Sequence, residues 1–193
     1  EKVHAGLKGH IYGERGVSKR CTLMKEATAT LAMPGDLGAI DTVMPNAGGA
    51  GYYRFALDAR DTAALLARAA TLPDREALVL ADSIKGGFSA GRVTLATFLD
   101  AMTALAAHPN RQVSTALGLD LIDIINRMAD EPQRAELRRR LGAVYAPRLA
   151  ATGALLGAKR NAADTADVKL LRRTLLYIVA LGARDAALRA RLA

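Results

Sequence analysis

The sequence predicts a mainly α fold: an α-α superhelix of packed helix pairs, preceded by a small β segment that reads as the remnant of a β-sandwich. Three observations carry this prediction. The composition is 51% apolar but only 4% aromatic, with Leu and Ala prominent, which favours packed helices over a full sandwich. Apolar residues recur with a period of two in the first part of the chain and at spacings of three and four from about Arg60 onward. The later segments are roughly 10–20 residues long with short links, the pattern of helix pairs stacked as in HEAT or armadillo arrays. No strict internal repeat accompanies it, so the prediction rests on pattern and length.

The β part is taken first. Val3 to Tyr12 is a weak strand, interrupted by Gly6 and Gly9. From Cys21 to Met33 the odd positions Cys21, Leu23, Ala27, Ala29, Leu31 and Met33 are apolar, with Lys25 the exception, which predicts a strand with that face on a core and Cys21 buried as a small hydrophobe. Pro34-Gly35-Asp36 is a turn, and Ile40 to Met44 a short strand. Asn46-Ala47-Gly48-Gly49-Ala50-Gly51 is a glycine-rich turn, and the aromatics of Tyr52 to Leu57 suit a further strand. So few strands cannot close a sandwich. Residues 1–58 are therefore predicted as a sandwich remnant and 59–193 as a truncated helical domain.

The helices follow in order. Thr62 to Ala70 is the first, ending near Pro73. Asp74 is the expected N-cap of Arg75 to Lys85, with Gly86-Gly87 as its stop. Thr94 caps a helix to Ala107, with Leu95, Phe98, Leu99, Met102 and Leu105 on one face. Pro109-Asn110 breaks it, and Arg111 to Met128 is the next. Pro132 fits the first turn of a helix reaching Ala151. Thr152 to Ala163 reads as a loop, after which Asp164 and Asp167 have the spacing of an N-cap and a first-turn acid. Gly182 is the expected C′ stop of that helix, and Arg184 to Ala193 begins another.

Charge and motifs narrow the function. The net charge of +8 is spread along the chain, with clusters at Arg138, Arg139, Arg140 and at Arg172, Arg173 that read as solvated helix faces. With few aromatics available to stack on bases, nucleic-acid binding is not expected. The single cysteine, Cys21, excludes an internal disulfide framework and leaves the compartment open. No apolar stretch is long enough to span a membrane, and no secretory leader is read in a chain that starts at Glu1. The three histidines, His4, His10 and His108, lack the one-turn spacing of a zinc-peptidase helix and read as surface or loop residues. No phosphate loop or nucleophile elbow is present. The residues themselves therefore give no catalytic, cofactor or metal site.

One run is specific. Asn46-Ala47-Gly48-Gly49-Ala50-Gly51-Tyr52-Tyr53-Arg54-Phe55 resembles the "N…GYYR" segment of the aminopeptidase N-type zinc metallopeptidases, the membrane alanyl aminopeptidase family. Leu72-Pro73-Asp74-Arg75, Leu80-Ala81-Asp82-Ser83 and Gly91 resemble the helical stretch that follows it, and Leu170-Leu171-Arg172 a late helix of that family. Cys21-Thr22-Leu23-Met24-Lys25 resembles a sandwich strand, so the resemblance extends from about Ser18 to the end. It implies the end of the family's third, β-sandwich domain and the start of its superhelical C-terminal domain, in a four-domain parent that uses one zinc ion to remove N-terminal residues. The zinc motif, recognition loop and transition-state tyrosine belong to other domains, so no catalytic residue is carried over to Tyr52 or Tyr53. Asn46, Gly51, Tyr52, Tyr53 and Arg54 are structural junction residues in this reading, with Arg54 a candidate for an ion pair. The implied role is to cap the active-site cleft and restrict or orient peptide substrates, with the remaining domains of the parent and peptides as partners. The alternative is a free-standing helical-repeat adaptor. A chain that starts inside a sandwich and stops inside a helical stack is also expected to self-associate by sheet edge or helix face.

Overall fold

The computed structural model describes residues 5–32, 35–153 and 164–192; His4 and most of the expected loop after Thr152 lie outside them. The fold is mainly helical, with a small antiparallel sheet ahead of the helices, and the chain divides into two compact units, Glu1–Ala104 and Leu105–Ala193.

In the first unit, β1 (Ala5–Gly13), β2 (Gly16–Met24) and β3 (Ile40–Met44) form a sheet in the order β2-β1-β3. The segment expected to be a weak strand is thus the central one. Gly6 and Gly9 do not break it because both of its edges are paired, with Leu7 opposite Thr22 and Ile11 opposite Val43. Gly13 is needed for a close approach: a Cβ there would lie 2.8 Å from Leu37 O and 2.9 Å from Ala39 O.

The strand expected from Cys21 to Met33 is corrected in extent and in face. It begins at Gly16 and ends at Met24, and residues 25–32 are irregular. Cys21 and Leu23 are exposed, while Thr22 and Met24 are half-buried. The period of two is real, but β2 is an edge strand, and burial at an edge follows what covers it rather than apolarity alone. Tyr52 to Leu57 is likewise not a strand. Its side chains alternate between exposed and half-buried, but among the described residues no strand pairs with it, and the Phe55 amide is met by Ser83 Oγ at 3.3 Å.

Helices α1 (Ala59–Ala67), α2 (Asp74–Ser89) and α3 (Leu95–Ala106) follow. Asp58 caps α1 by accepting from the Asp61 amide at 2.7 Å, and Thr94 accepts from the Thr97 amide at 3.1 Å at the start of α3. Asp74 is the first residue of α2 rather than its cap, which is Pro73. Gly86 and Gly87 do not end α2. They sit inside it because neighbours press on the helix there: a Cβ on Gly86 would lie 2.5 Å from Arg54 Cδ, and one on Gly87 2.6 Å from Val93 Cγ2. The chain turns instead at Gly91, with φ +69°. The core gathers Ile11, Met44, Leu65, Leu80, Phe98 and Met102, all nearly inaccessible.

The second unit holds α4 (Arg111–Arg127), α5 (Glu131–Ala151), α6 (Ala166–Leu176) and α7 (Ala186–Leu192). Asn110 caps α4, and Asp130 with Gln133 forms a reciprocal capping box around Pro132 in α5. Thr165, not Asp164, caps α6, because its hydroxyl accepts from the Val168 amide at 3.2 Å while Asp164 pairs with Arg172 at 2.8 Å. α6 runs on as a π-helical stretch, Tyr177–Gly182. Gly182 is not a left-handed stop; its role is close packing, since a Cβ would lie 2.5 Å from Ile122 Cδ1. The left-handed residue is Arg184, with φ 56°. Leu117, Leu121, Ile125, Leu141, Tyr145 and Ile178 form this core.

Candidate functional site

The junction run folds as a self-clamped loop. Asn46 is fully buried, and its side chain reads the loop at both ends: Oδ1 accepts from Gly51 N at 2.9 Å, and Nδ2 donates to Gly51 O at 2.7 Å and Tyr53 O at 3.4 Å. An asparagine can do this because one side chain carries both donor and acceptor. Gly48 and Gly49 have φ of +70° and +60°, and a Cβ on Gly49 would also lie 2.9 Å from Arg75. At Gly51 a Cβ would fall 2.1 Å from the Tyr53 ring, so glycine lets that ring fold back and donate from its hydroxyl to Pro45 O at 2.7 Å. Burial raises the Tyr53 phenol above its ordinary value. Tyr52 points fully into solvent.

Arg54 lies along α2 and meets Asp82 with a two-point fork, Nε to Oδ2 at 2.8 Å and Nη2 to Oδ1 at 3.0 Å. That geometry suits a guanidinium and a carboxylate. Both groups are largely exposed, so the pair orients the segment more than it stabilises it.

The most buried polar group of this region is one that pattern reading does not single out. Glu76, in the first turn of α2, is 0% exposed. Its Oε1 accepts from Gly48 N at 2.6 Å and lies 2.7 Å from His10 Nδ1, and its Oε2 accepts from Tyr12 Oη at 3.2 Å. One carboxylate therefore ties together β1, the glycine turn and α2. His10, expected on the surface, is a half-buried strand residue in this cluster. Burial and then the charge of Glu76 push the Tyr12 phenol up to about 12. Arg68 covers the Tyr12 ring at 5.0 Å and pairs with Asp41 at 2.5 Å. With three donors on its two oxygens, Glu76 is placed as a staple rather than as a base facing a substrate. A local signal for it is weak, since an acid in a first helical turn is ordinary.

Elsewhere, His108 is buried rather than exposed, with Nδ1 accepting from the Asn110 amide at 3.0 Å. Arg148 donates to the carbonyls of Ala106 and His108, and burial lowers its guanidinium below its ordinary value. Arg172 is not a solvated face residue: it donates to Thr152 O from Nε at 3.2 Å and Nη2 at 2.6 Å, besides pairing with Asp164. Among the described residues no cluster of His, Cys, Asp and Glu is arranged to hold a metal ion, and no helix is long and apolar enough to cross a membrane.

The first unit also contains a mainly apolar cleft of about 310 Å³, where Phe55 and Leu57 face Leu66, Leu80, Ile84 and Val93. The chain matches one family model, described as ERAP1-like C-terminal domain, over residues 42–193. The match begins within β3, so β1 and β2 lie outside the matched range. No curated protein matches the chain.

Proposed function

The chain belongs to the ERAP1-like C-terminal domain family, and from that premise we propose that it is the non-catalytic C-terminal part of a zinc aminopeptidase, capping the active-site cleft and restricting or orienting peptide substrates. The observation that carries this reading is the length of the family match, which spans the junction loop and all seven helices of the described residues. The junction chemistry is in keeping with it. Asn46 closes the loop on itself, and Glu76 and Arg54 fix it to α2, which suits a rigid entry into a helical domain rather than a reacting centre. In this proposal the zinc and the groups that act on the scissile bond lie in the other domains of the parent.

The test compares the parent enzyme with a form lacking residues 59–193 on a series of peptides of increasing length. Capping predicts that the shortened form keeps its metal but loses its discrimination between short and long peptides. An unchanged length preference in a folded, metal-loaded shortened form refutes it.

A further inference from the structure

The last turns of the second unit carry an apolar stripe on an unbalanced field of charge. Leu170, Tyr177 and Leu181 are 46%, 47% and 62% exposed. Their spacings of seven and four place them along one side of α6 and its π-helical continuation. The wide turn buries Ile178, Val179 and Ala180 in succession while leaving Leu181 in solvent. Such turns recur at functional positions. Just beyond it, Arg184 is held at φ 56°, a conformation that a side chain of this kind rarely adopts. Arg184 and Arg189 flank Ala180 and Leu181 in a notch of about 390 Å³.

The charges near this stripe do not cancel. The acids of the segment are already engaged: Asp164 pairs with Arg172, Asp167 pairs with Arg111, and Asp185 caps the Leu188 amide. Arg173, Arg184, Arg189 and Arg191 are exposed and, among the described residues, have no ion-pair partner. A second copy of this chain would bring the same cations against this face, which is unfavourable. The complement is a surface with an apolar ridge and carboxylates beside it.

We propose that the face formed by Leu170, Tyr177 and Leu181, with the notch between Arg184 and Arg189, docks an amphipathic α-helix whose apolar stripe is flanked by carboxylates. The ridge supplies contact area, as in helix-in-groove recognition, and the arginines select the sign of the flanks. The inference stands on the second unit alone and does not depend on the proposed peptidase role.

The test uses the intact chain and two synthetic helical peptides with the same leucine stripe, one flanked by Glu and the other by Lys, followed by fluorescence anisotropy. At about 50 mM salt the Glu peptide binds ~10-fold or more tighter than the Lys peptide, and the gap narrows as salt rises. Leu181→Glu weakens the Glu peptide ~10-fold, because it removes apolar contact and adds a like charge. Arg184→Gln with Arg189→Gln narrows the gap between the peptides. Arg184→Gly, which suits the backbone there, shows the same loss of selectivity in part and controls for folding. Equal binding of the two peptides, no effect of Leu181→Glu, or a dimer of the chain that Leu181→Glu abolishes would each overturn the proposal.

Discussion

His10 Nδ1 lies 2.7 Å from Oε1 of Glu76, a carboxylate with no exposed surface, across 66 residues of sequence. The pair is completed by the Tyr12 hydroxyl and the Gly48 amide, so three groups from two places in the chain depend on one side chain.

Glu76→Ala should be among the most damaging single changes in the first unit. It strips the acceptor from three donors, of which the Tyr12 hydroxyl is buried, and a loss of about 3 kcal/mol is expected. Glu76→Gln keeps part of the acceptor geometry and should lose less. Urea unfolding of the purified chain measures both, and a Glu76→Ala variant as stable as the parent chain would show that the staple is not needed.

The Tyr12 phenol gives a pH signature at the same place. Its folded value is raised from 10.0 to about 12, so the folded state holds its proton more tightly. The associated stability is whole below pH 10 and is lost as pH rises through about 12. Phenolate absorbance should show Tyr12 titrating late, and Glu76→Gln should bring it down. A Tyr12 that titrates with the exposed tyrosines contradicts the cluster.

Glu136 provides the acidic counterpart. Hydrogen bonds from Arg139 and Arg140 hold its carboxyl down at about 2. The side chain is about half in solvent, which screens the pair and keeps the effect on stability small; its sign is a contribution present above the ordinary glutamate value of 4.5 and lost as pH falls toward about 2. Carboxyl carbon shifts followed by NMR should place Glu136 at the low end of the glutamates, returning upward in the Arg139→Gln, Arg140→Gln double variant.

Two glycines inside helices should respond to alanine to different degrees. At Gly86 the new Cβ meets the exposed Arg54 side chain, which can move aside, and the helix gains up to about 1 kcal/mol in propensity, so Gly86→Ala should be near neutral while the fork to Asp82 loosens. At Gly118 the new Cβ falls 2.6 Å from the ring of Tyr145, which is buried with its hydroxyl bonded to Ser114 O at 3.0 Å. That ring cannot yield, and Gly118→Ala should cost about 2 kcal/mol despite the same propensity gain. Thermal unfolding of the two variants side by side checks the contrast.

Local signals made the helices legible. Thr94 before Leu95 marks a start through a nearby backbone amide, and Pro132 marks one through its fixed φ in a first turn, so a few residues contain the whole signal. What was not legible depends on distant partners. Gly86-Gly87 looks like a stop until Arg54 and Val93 are seen pressing on α2. Tyr52 to Leu57 has the alternation of a strand but no strand beside it. Cys21 lies on the strand that its pattern predicts, but on an edge, where apolarity does not secure burial. The junction run Asn46 to Arg54 was visible as a motif, whereas Glu76, on which its glycine turn hangs, has no local mark that would link it to Tyr12 or His10.

The central claim is tested most directly by metal analysis and aminoacyl-anilide hydrolysis on one sample of the purified chain incubated with zinc and then dialysed. A non-catalytic C-terminal domain of an aminopeptidase should retain far less than one zinc per chain and show no turnover above the zinc-only control. A stoichiometric metal with sustained turnover that follows the chain through purification would contradict the account.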